Sequence, residues 1–276
     1  MAAPFKLADT AALTVVSEYL GASRVMPSVD QVELGDPLTY QVLVRNTGLE
    51  EADPANLVLP LPPGSAFVSD TLQYSAPICD YDLIRQAVVW TGAVDAGSTV
   101  TVTFGITVGC PSDPLATSLT AVGVITDSLG RTVSLPSTVS LRLPDLSPSS
   151  LVVVPQAARP GEAITYTLGL RNQGGGAPWV GFTGPLSPGL TWLEIYDTPV
   201  GDLEYLPAVR QIAWEGPALE GGEAVTVTWQ LLVDGGSAGR ERILATTIAH
   251  PCSQRTRRAT VWIHHRVHLP LVLKGG

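Results

Sequence analysis

Cysteine, methionine and lysine are all scarce in this chain. Of 276 residues, three are cysteine and two methionine. Lysine occurs only at Lys6 and Lys274, and arginine supplies the remaining positive charge. With a net charge of −9 and only two lysines, nucleic acid is not expected as a partner. Charged residues of all kinds make up only 15%, against 45% hydrophobic residues, a balance that excludes disorder. No apolar run of about 20 residues is present, so no helical membrane span is expected. The start, Met-Ala-Ala-Pro-Phe-Lys, lacks a basic segment followed by an apolar one. An exported chain with this beginning would be a mature form or would leave by another route. No stretch carries the 3.6-residue period of an amphipathic helix.

Three cysteines cannot all pair within one chain. Cys79 and Cys110 lie in the same half and form the candidate disulfide, which leaves Cys252 as a free or intermolecular thiol. No Cys-x-x-Cys or Cys/His spacing points to zinc or haem. His264, His265 and His268 are close in sequence. On a strand, however, residues four apart lie roughly 13 Å from each other, too far to share an ion. Glu50-Glu51-x-Asp53 lacks the spacing of a calcium loop. Gly174-Gly-Gly176 is expected to be a hairpin, not a phosphate cradle, because no helix follows it. No nucleophile motif of the Gly-x-Ser-x-Gly kind exists. Neither an enzyme nor a cofactor is expected.

What the chain does contain is a repeat. Gly35-Asp-Pro-Leu-Thr-Tyr40-Gln-Val-Leu-Val-Arg-Asn46-Thr-Gly48 returns as Gly161-Glu-Ala-Ile-Thr-Tyr166-Thr-Leu-Gly-Leu-Arg-Asn172-Gln-Gly174, with the same spacing from Gly to Tyr to Asn to Gly. An offset of about 125 residues is the size of a whole small domain. The parallel continues. Leu61-Pro-Pro-Gly64 matches Leu186-Ser-Pro-Gly189, with Phe67 answered by Trp192, and Val88-Val-Trp90 matches Ile212-Ala-Trp214. Gly97-Ser-Thr-Val-Thr-Val-Thr-Phe104 matches Gly222-Glu-Ala-Val-Thr-Val-Thr-Trp229. Leu151–Val154 is aligned with Leu13–Val16, and Tyr19–Val29 is expected to be a loop.

The period-two runs, of which Val100, Val102, Phe104, Ile106 and Val108 are the clearest, alternate with threonine and mark half-buried strands. Turn signals about every ten residues and roughly seven strands per copy predict an all-β chain of two tandem immunoglobulin-like sandwiches. Residues 1–145 are expected to hold a lead-in and the first domain, and residues 146–276 the second domain and a C-terminal strand. Leu143-Pro-Asp-Leu-Ser-Pro-Ser-Ser150 is the linker.

The Thr-Tyr strand ending in Asn-x-Gly, then Leu-Pro-x-Gly, a Trp and alternating Val-Thr, resembles the bacterial and archaeal surface-repeat family catalogued as domain of unknown function number eleven. The resemblance covers roughly residues 13–142 and 151–263. It implies Ig-like folds in secreted, cell-wall or envelope proteins and carries no catalytic residues. The closing His-Leu-Pro-Leu-Val-Leu-Lys is similar to tails of exported proteins of filamentous green non-sulfur bacteria.

Beyond the second copy, Val267, Leu269, Leu271 and Leu273 fall on one face of a strand pattern. Burying four such side chains is worth roughly 6–12 kcal/mol before entropy is subtracted. The destinations are an edge strand on copy two, donation into a neighbouring subunit's sheet, or an anchoring tail. Phe5 and Leu7 offer the same choice at the other end.

Five of the six tryptophans lie in copy two. Trp214 and Trp229 are expected in the core, while Trp179 and Trp192 could form a ligand surface for glycan or protein. The leading expectation is an extracellular, cell-surface structural protein whose subunits polymerise by strand donation. The alternative is a monomeric adhesin or glycan/protein-binding module.

Overall fold

The computed structural model describes residues 17–75, 78–197, 200–236 and 239–264. Among these residues there is no helix. The first copy contains ten strands: β1 (Arg24–Pro27), β2 (Gln31–Glu33), β3 (Pro37–Arg45), β4 (Ala52–Pro60), β5 (Ser65–Tyr74), β6 (Ile78–Asp82), β7 (Ala87–Val94), β8 (Thr99–Val108), β9 (Ser118–Thr126) and β10 (Thr132–Arg142). The second repeats them as β11 (Ser150–Val154), β12 (Ala157–Ala158), β13 (Ala163–Arg171), β14 (Val180–Pro185), β15 (Leu190–Asp197), β16 (Asp202–Leu206), β17 (Gln211–Gly216), β18 (Ala224–Val233), β19 (Arg240–His250) and β20 (Ser253–Ile263).

In each copy a four-stranded sheet faces a six-stranded one. The first copy has the orders β1-β3-β8-β5 and β2-β10-β9-β4-β7-β6. The second has β11-β13-β18-β15 and β12-β20-β19-β14-β17-β16. Pairing is antiparallel except where β2 runs parallel to β10 and β12 parallel to β20. The first stretch of each copy therefore starts in one sheet and crosses to the other. That is the arrangement of an immunoglobulin-like sandwich.

Alternation along the strands puts one side of every sheet inside. In β3, Leu38, Tyr40, Val42 and Val44 are fully buried, as are Ile164, Tyr166, Leu168 and Leu170 in β13. Each copy has its own core, centred on Tyr40, Trp90 and Phe104 in the first and on Tyr166, Phe182 and Trp229 in the second. The Phe182 and Trp229 rings lie 5.3 Å apart, and Tyr166 stacks on Trp229 at 5.9 Å. Burial pushes the Tyr40 hydroxyl up to about 12. The Tyr166 hydroxyl moves further in the same direction for the same reason.

The repeated sequence motif now has a physical explanation at each of its four positions. Gly35 and Gly161 both turn with φ of 87°, in the left-handed region that a side chain would strain. Tyr40 and Tyr166 fill the cores. Asn46 and Asn172 are fully buried and use all four amide valences. The Asn46 Oδ1 accepts from the amides of Tyr19 (3.0 Å) and Gly48 (2.9 Å), and its Nδ2 donates to the carbonyls of Glu50 (2.7 Å) and Val94 (2.9 Å). Asn172 does the same with Asp145, Gly174, Gly175 and Leu219. Finally, a Cβ on Gly48 or Gly174 would collide with the backbone at Ser17 or Leu143.

Two expectations are corrected. The stretch Tyr19–Val29 is not all loop, because Arg24–Pro27 forms β1, paired with β3 through Val25 and Val42. The partner of Leu151–Val154 is therefore β1 and not Leu13–Val16. The error came from matching aliphatic residues without regard to the distance to the next glycine: Val25 precedes Gly35 by the same ten residues as Leu151 precedes Gly161. Leu13–Val16, Phe5, Leu7, Val267, Leu269, Leu271 and Leu273 lie outside the described residues.

Replacing Asn172 by Ala takes from the Asp145 and Gly174 amides and the Gly175 carbonyl their side-chain partner, and from the Leu219 carbonyl one of its two, the Ala177 amide remaining. At about 1–3 kcal/mol for each polar group stranded, the second copy should lose several kcal/mol or fail to fold. Asn46→Ala should do the same to the first. Urea denaturation followed by tryptophan fluorescence, with five of six tryptophans in copy two, reads the two apart.

Candidate functional site

The junction of the two copies and the outer face of one sheet are the two places where side chains of functional interest converge. At the junction, β10 runs directly into the linker, and the linker is tied down along its length. The Asp145 amide donates to Asn172, and the Asp145 carbonyl accepts from the Gln173 amide at 2.9 Å. Arg257 of β20 holds the Ser149 carbonyl at 2.6 Å and also reaches the Ser147 carbonyl. From the first copy, Glu33 accepts from Arg142 Nη1 at 3.2 Å and from the Gly176 amide, while Arg142 Nη2 donates to the Gly174 carbonyl at 3.2 Å. Gly174–Gly176 is thus a docking loop and not a hairpin. A Cβ at Gly175 would run into the Arg142 carbonyl, so glycine lets the first copy approach.

A covalent bond spans the same junction. Cys110, just past β8, is joined to Cys252 in the turn between β19 and β20, 142 residues further along the chain. This overturns the expected Cys79–Cys110 pair. Cys79 is on β6 at the edge of the six-stranded sheet, opposite Trp90, and its thiol is buried and free. Burial pushes that thiol up to about 11, which removes thiolate reactivity. Proximity in sequence misled, because Cys110 and Cys252 meet only when the copies are assembled end to end.

His250 closes the junction beside the disulfide. Its Nδ1 accepts from the Cys252 amide at 3.4 Å, and the ring is buried. Burial, and next the Arg255 guanidinium, hold its pKa below the ordinary 6.5, against an opposing pull from Asp145. Asp145 itself is held low, first by the Ser147 hydroxyl and amide.

The second place is the outer face of the β12-β20-β19-β14-β17-β16 sheet, which carries an open groove of about 890 Å³. Its floor is Gly181, Thr183, Ala213, Thr247 and Ala249, all small; Trp179 stands at one side, with Asp202, Glu204 and Glu215 along β16 and β17. Beneath the floor the Phe182 and Trp214 rings stack at 5.9 Å, so the groove rests on core. Trp179 is 39% exposed. It lies over Gly181, with its Cζ3 3.7 Å from where a Cβ there would be.

Trp192 is elsewhere. It stacks on Tyr205 at 5.5 Å with the rings 8° apart and packs against the core. Phe67 and Tyr81 make the same stack in the first copy, at 4.1 Å and 12°. Its occurrence in both copies marks Trp192 as packing, not as a partner of Trp179 in one ligand surface. Trp214 and Trp229 are core residues. No group of three or more possible metal ligands exists among the described residues. Sequence reasoning missed Asp202, Glu204 and Glu215 because dispersed carboxylates converge only once β16 and β17 are paired.

The chain matches no family model and no curated protein. The chain is similar to several solved structures, all at low identity and with TM-scores under 0.5. The C-terminal domain of the Streptococcus pyogenes antigen I/II-family protein AspA is 10% identical, with a TM-score of 0.49 over 90% of this chain and 100% of that one. The C-terminal domain of the Streptococcus agalactiae AgI/II polypeptide BspA is 12% identical, with a TM-score of 0.45 over 88% and 99%. The collagen adhesin CNA from S. aureus is 8% identical, with a TM-score of 0.31 over 88% and 93%. At these scores no function passes from them to this chain, and the fold stands on its own strand pairing.

Because folding keeps His250 neutral, the unfolded chain binds its proton first. That contribution to stability is whole above the ordinary histidine pKa of 6.5 and is lost as pH falls through the lower, folded value. Urea midpoints should drop between about pH 7.5 and 5.5, and His250→Gln should flatten that part of the profile.

Proposed function

We propose that this chain is a load-bearing extracellular module, a two-sandwich spacer of a cell surface. The observation that carries the reading is the Cys110–Cys252 bond across the junction. Such a bond persists in oxidising surroundings outside the cytosol. In the chain-entropy model, closing a loop of this length removes about 5 kcal/mol worth of freedom from the unfolded state. The tied linker and the Glu33–Arg142 contacts support the same reading, since they leave the copies little freedom to swing. The resemblance of the repeat to the surface-repeat family points the same way. The modules are scaffold and not catalyst.

Thiol titration tests this directly. Material recovered from its native setting should show no reactive thiol when folded, one when unfolded (Cys79) and three after reduction. Three thiols on unfolding without reductant would mean the bond is absent in the native setting, and the reading fails. Antibody labelling of intact cells tests the location.

A second reading is a homopolymer in which the tail strand inserts into a neighbour's sheet. It is supported by the alternating face of Val267, Leu269, Leu271 and Leu273, with Phe5 and Leu7 as a similar segment at the other end. Deleting residues 266–276 should then abolish large species in sedimentation. Assemblies that survive the deletion rule out donation by the C-terminal strand.

A further inference from the structure

The groove over β14, β17 and β19 differs from the same place in the first copy in a way the fold does not require. Across the groove the registers of the two six-stranded sheets correspond row for row. In the second copy one cross-strand row reads Asp202, Glu215, Gly181, Ala249, Gln254, and the next reads Glu204, Ala213, Thr183, Thr247, Thr256. In the first copy the same rows read Ile78, Thr91, Asn56, Thr126, Thr132, and Asp80, Val89, Val58, Val124, Ser134. On the floor, Asn56, Thr126 and Val89 of the first sheet stand where the second has Gly181, Ala249 and Ala213, while Val58 and Val124 are matched in size by Thr183 and Thr247. Thr91 donates to Asn56 across the first sheet at 2.9 Å. The second sheet is stripped to glycine, alanine and threonine, and it gains carboxylates where the first has Ile78 and Thr91.

The placement of those carboxylates works against stability. Asp202 and Glu215 stand directly opposite each other on paired strands, and Glu204 follows two residues along β16. Like charges in that register repel. None of the three is in an ion pair within 4.0 Å among the described residues. Arg258, which lies opposite Ala245 on β20, is three strands from β17. Spending stability on unpaired like charges beside a cleared floor and an exposed indole is the mark of a site that awaits a cation.

We propose that this groove binds an extended polypeptide segment bearing arginine or lysine. The Gly/Ala/Thr floor gives a flat bed for an extended backbone. Asp202, Glu204 and Glu215 supply the charge complement, and the Trp179 ring offers a face for a guanidinium. Its volume is within the range of ligand sites. The inference does not depend on the scaffold role or on polymer formation.

The test is calorimetric titration of the full, oxidised chain with a tetra-arginine peptide at low salt. Saturable binding is expected, weakened about tenfold or more by Glu215→Gln and by Trp179→Ala. The double variant Ala213→Val/Ala249→Thr should abolish it while the chain stays folded, because the first copy carries the larger Val89 and Thr126 at those places. Asp80→Asn, on the matching face of the first copy, should change nothing. Three results overturn the proposal: no saturable binding of tetra-arginine, binding that these variants leave intact, or binding of a neutral cello-oligosaccharide in place of the peptide.

Discussion

A single buried carboxamide per copy holds the structure together. Asn46 and Asn172 each join three segments far apart in sequence: the chain entering the sandwich, the loop leaving β3 or β13, and the end of β7 or the Leu219 loop after β17. A hydrophobic residue there could fill the space but not satisfy the backbone groups that meet it. In water-free surroundings each unmet group is costly, whereas a complete set is rigid. The aliphatic cores supply most of the driving force for folding. The asparagine decides where the entering segment runs, and so where one copy leaves off and the next begins.

In the second copy that entering segment is the linker, so the clamp also sets the geometry between the copies. With Asp145 held by Asn172 and Ser149 by Arg257, the linker becomes part of the second sandwich's upper end. In the first copy residues 17–19 take the same path, held by Asn46 and by Arg131, which reaches the Glu18 carbonyl at 2.6 Å. Each copy therefore has a built socket for whatever precedes it. Glu33 and Arg142 then act on a loop already fixed in place, which is why two exposed charges of modest individual worth suffice.

Much of this was legible beforehand because its causes are local. Alternation along β3, β8, β13 and β18 is a two-residue rule, and the glycine, tyrosine and asparagine of the repeat kept their spacing because each has a separate steric or polar reason to be there. The failures share a different cause. The partner of Cys110 lies 142 residues away, and no local pattern points across a junction. β1 was hidden because Arg24-Val-Met-Pro27 has only one deeply buried side chain, Val25. The groove was invisible because it consists of what is missing: small residues on β14, β17 and β19, meaningful only beside the larger ones of the first copy. Trp192 was a candidate for a ligand surface because its ring partner, Tyr205, is thirteen residues away, and only the matching stack of Phe67 on Tyr81 shows it as packing.

The Cys110–Cys252 bond also changes what happens when the ends are pulled apart. Tension entering at the first copy reaches Cys110 and crosses through sulfur to Cys252 without running along the backbone between them. The 142 residues so bypassed amount to roughly 480 Å of contour length that cannot be paid out while the bond holds. Nearly the whole second sandwich, with its groove, is inside that bypass. Strands of the first copy that precede Cys110 can give way under such a load while β14, β17 and β19 stay folded. The chain's full extension becomes available only after reduction.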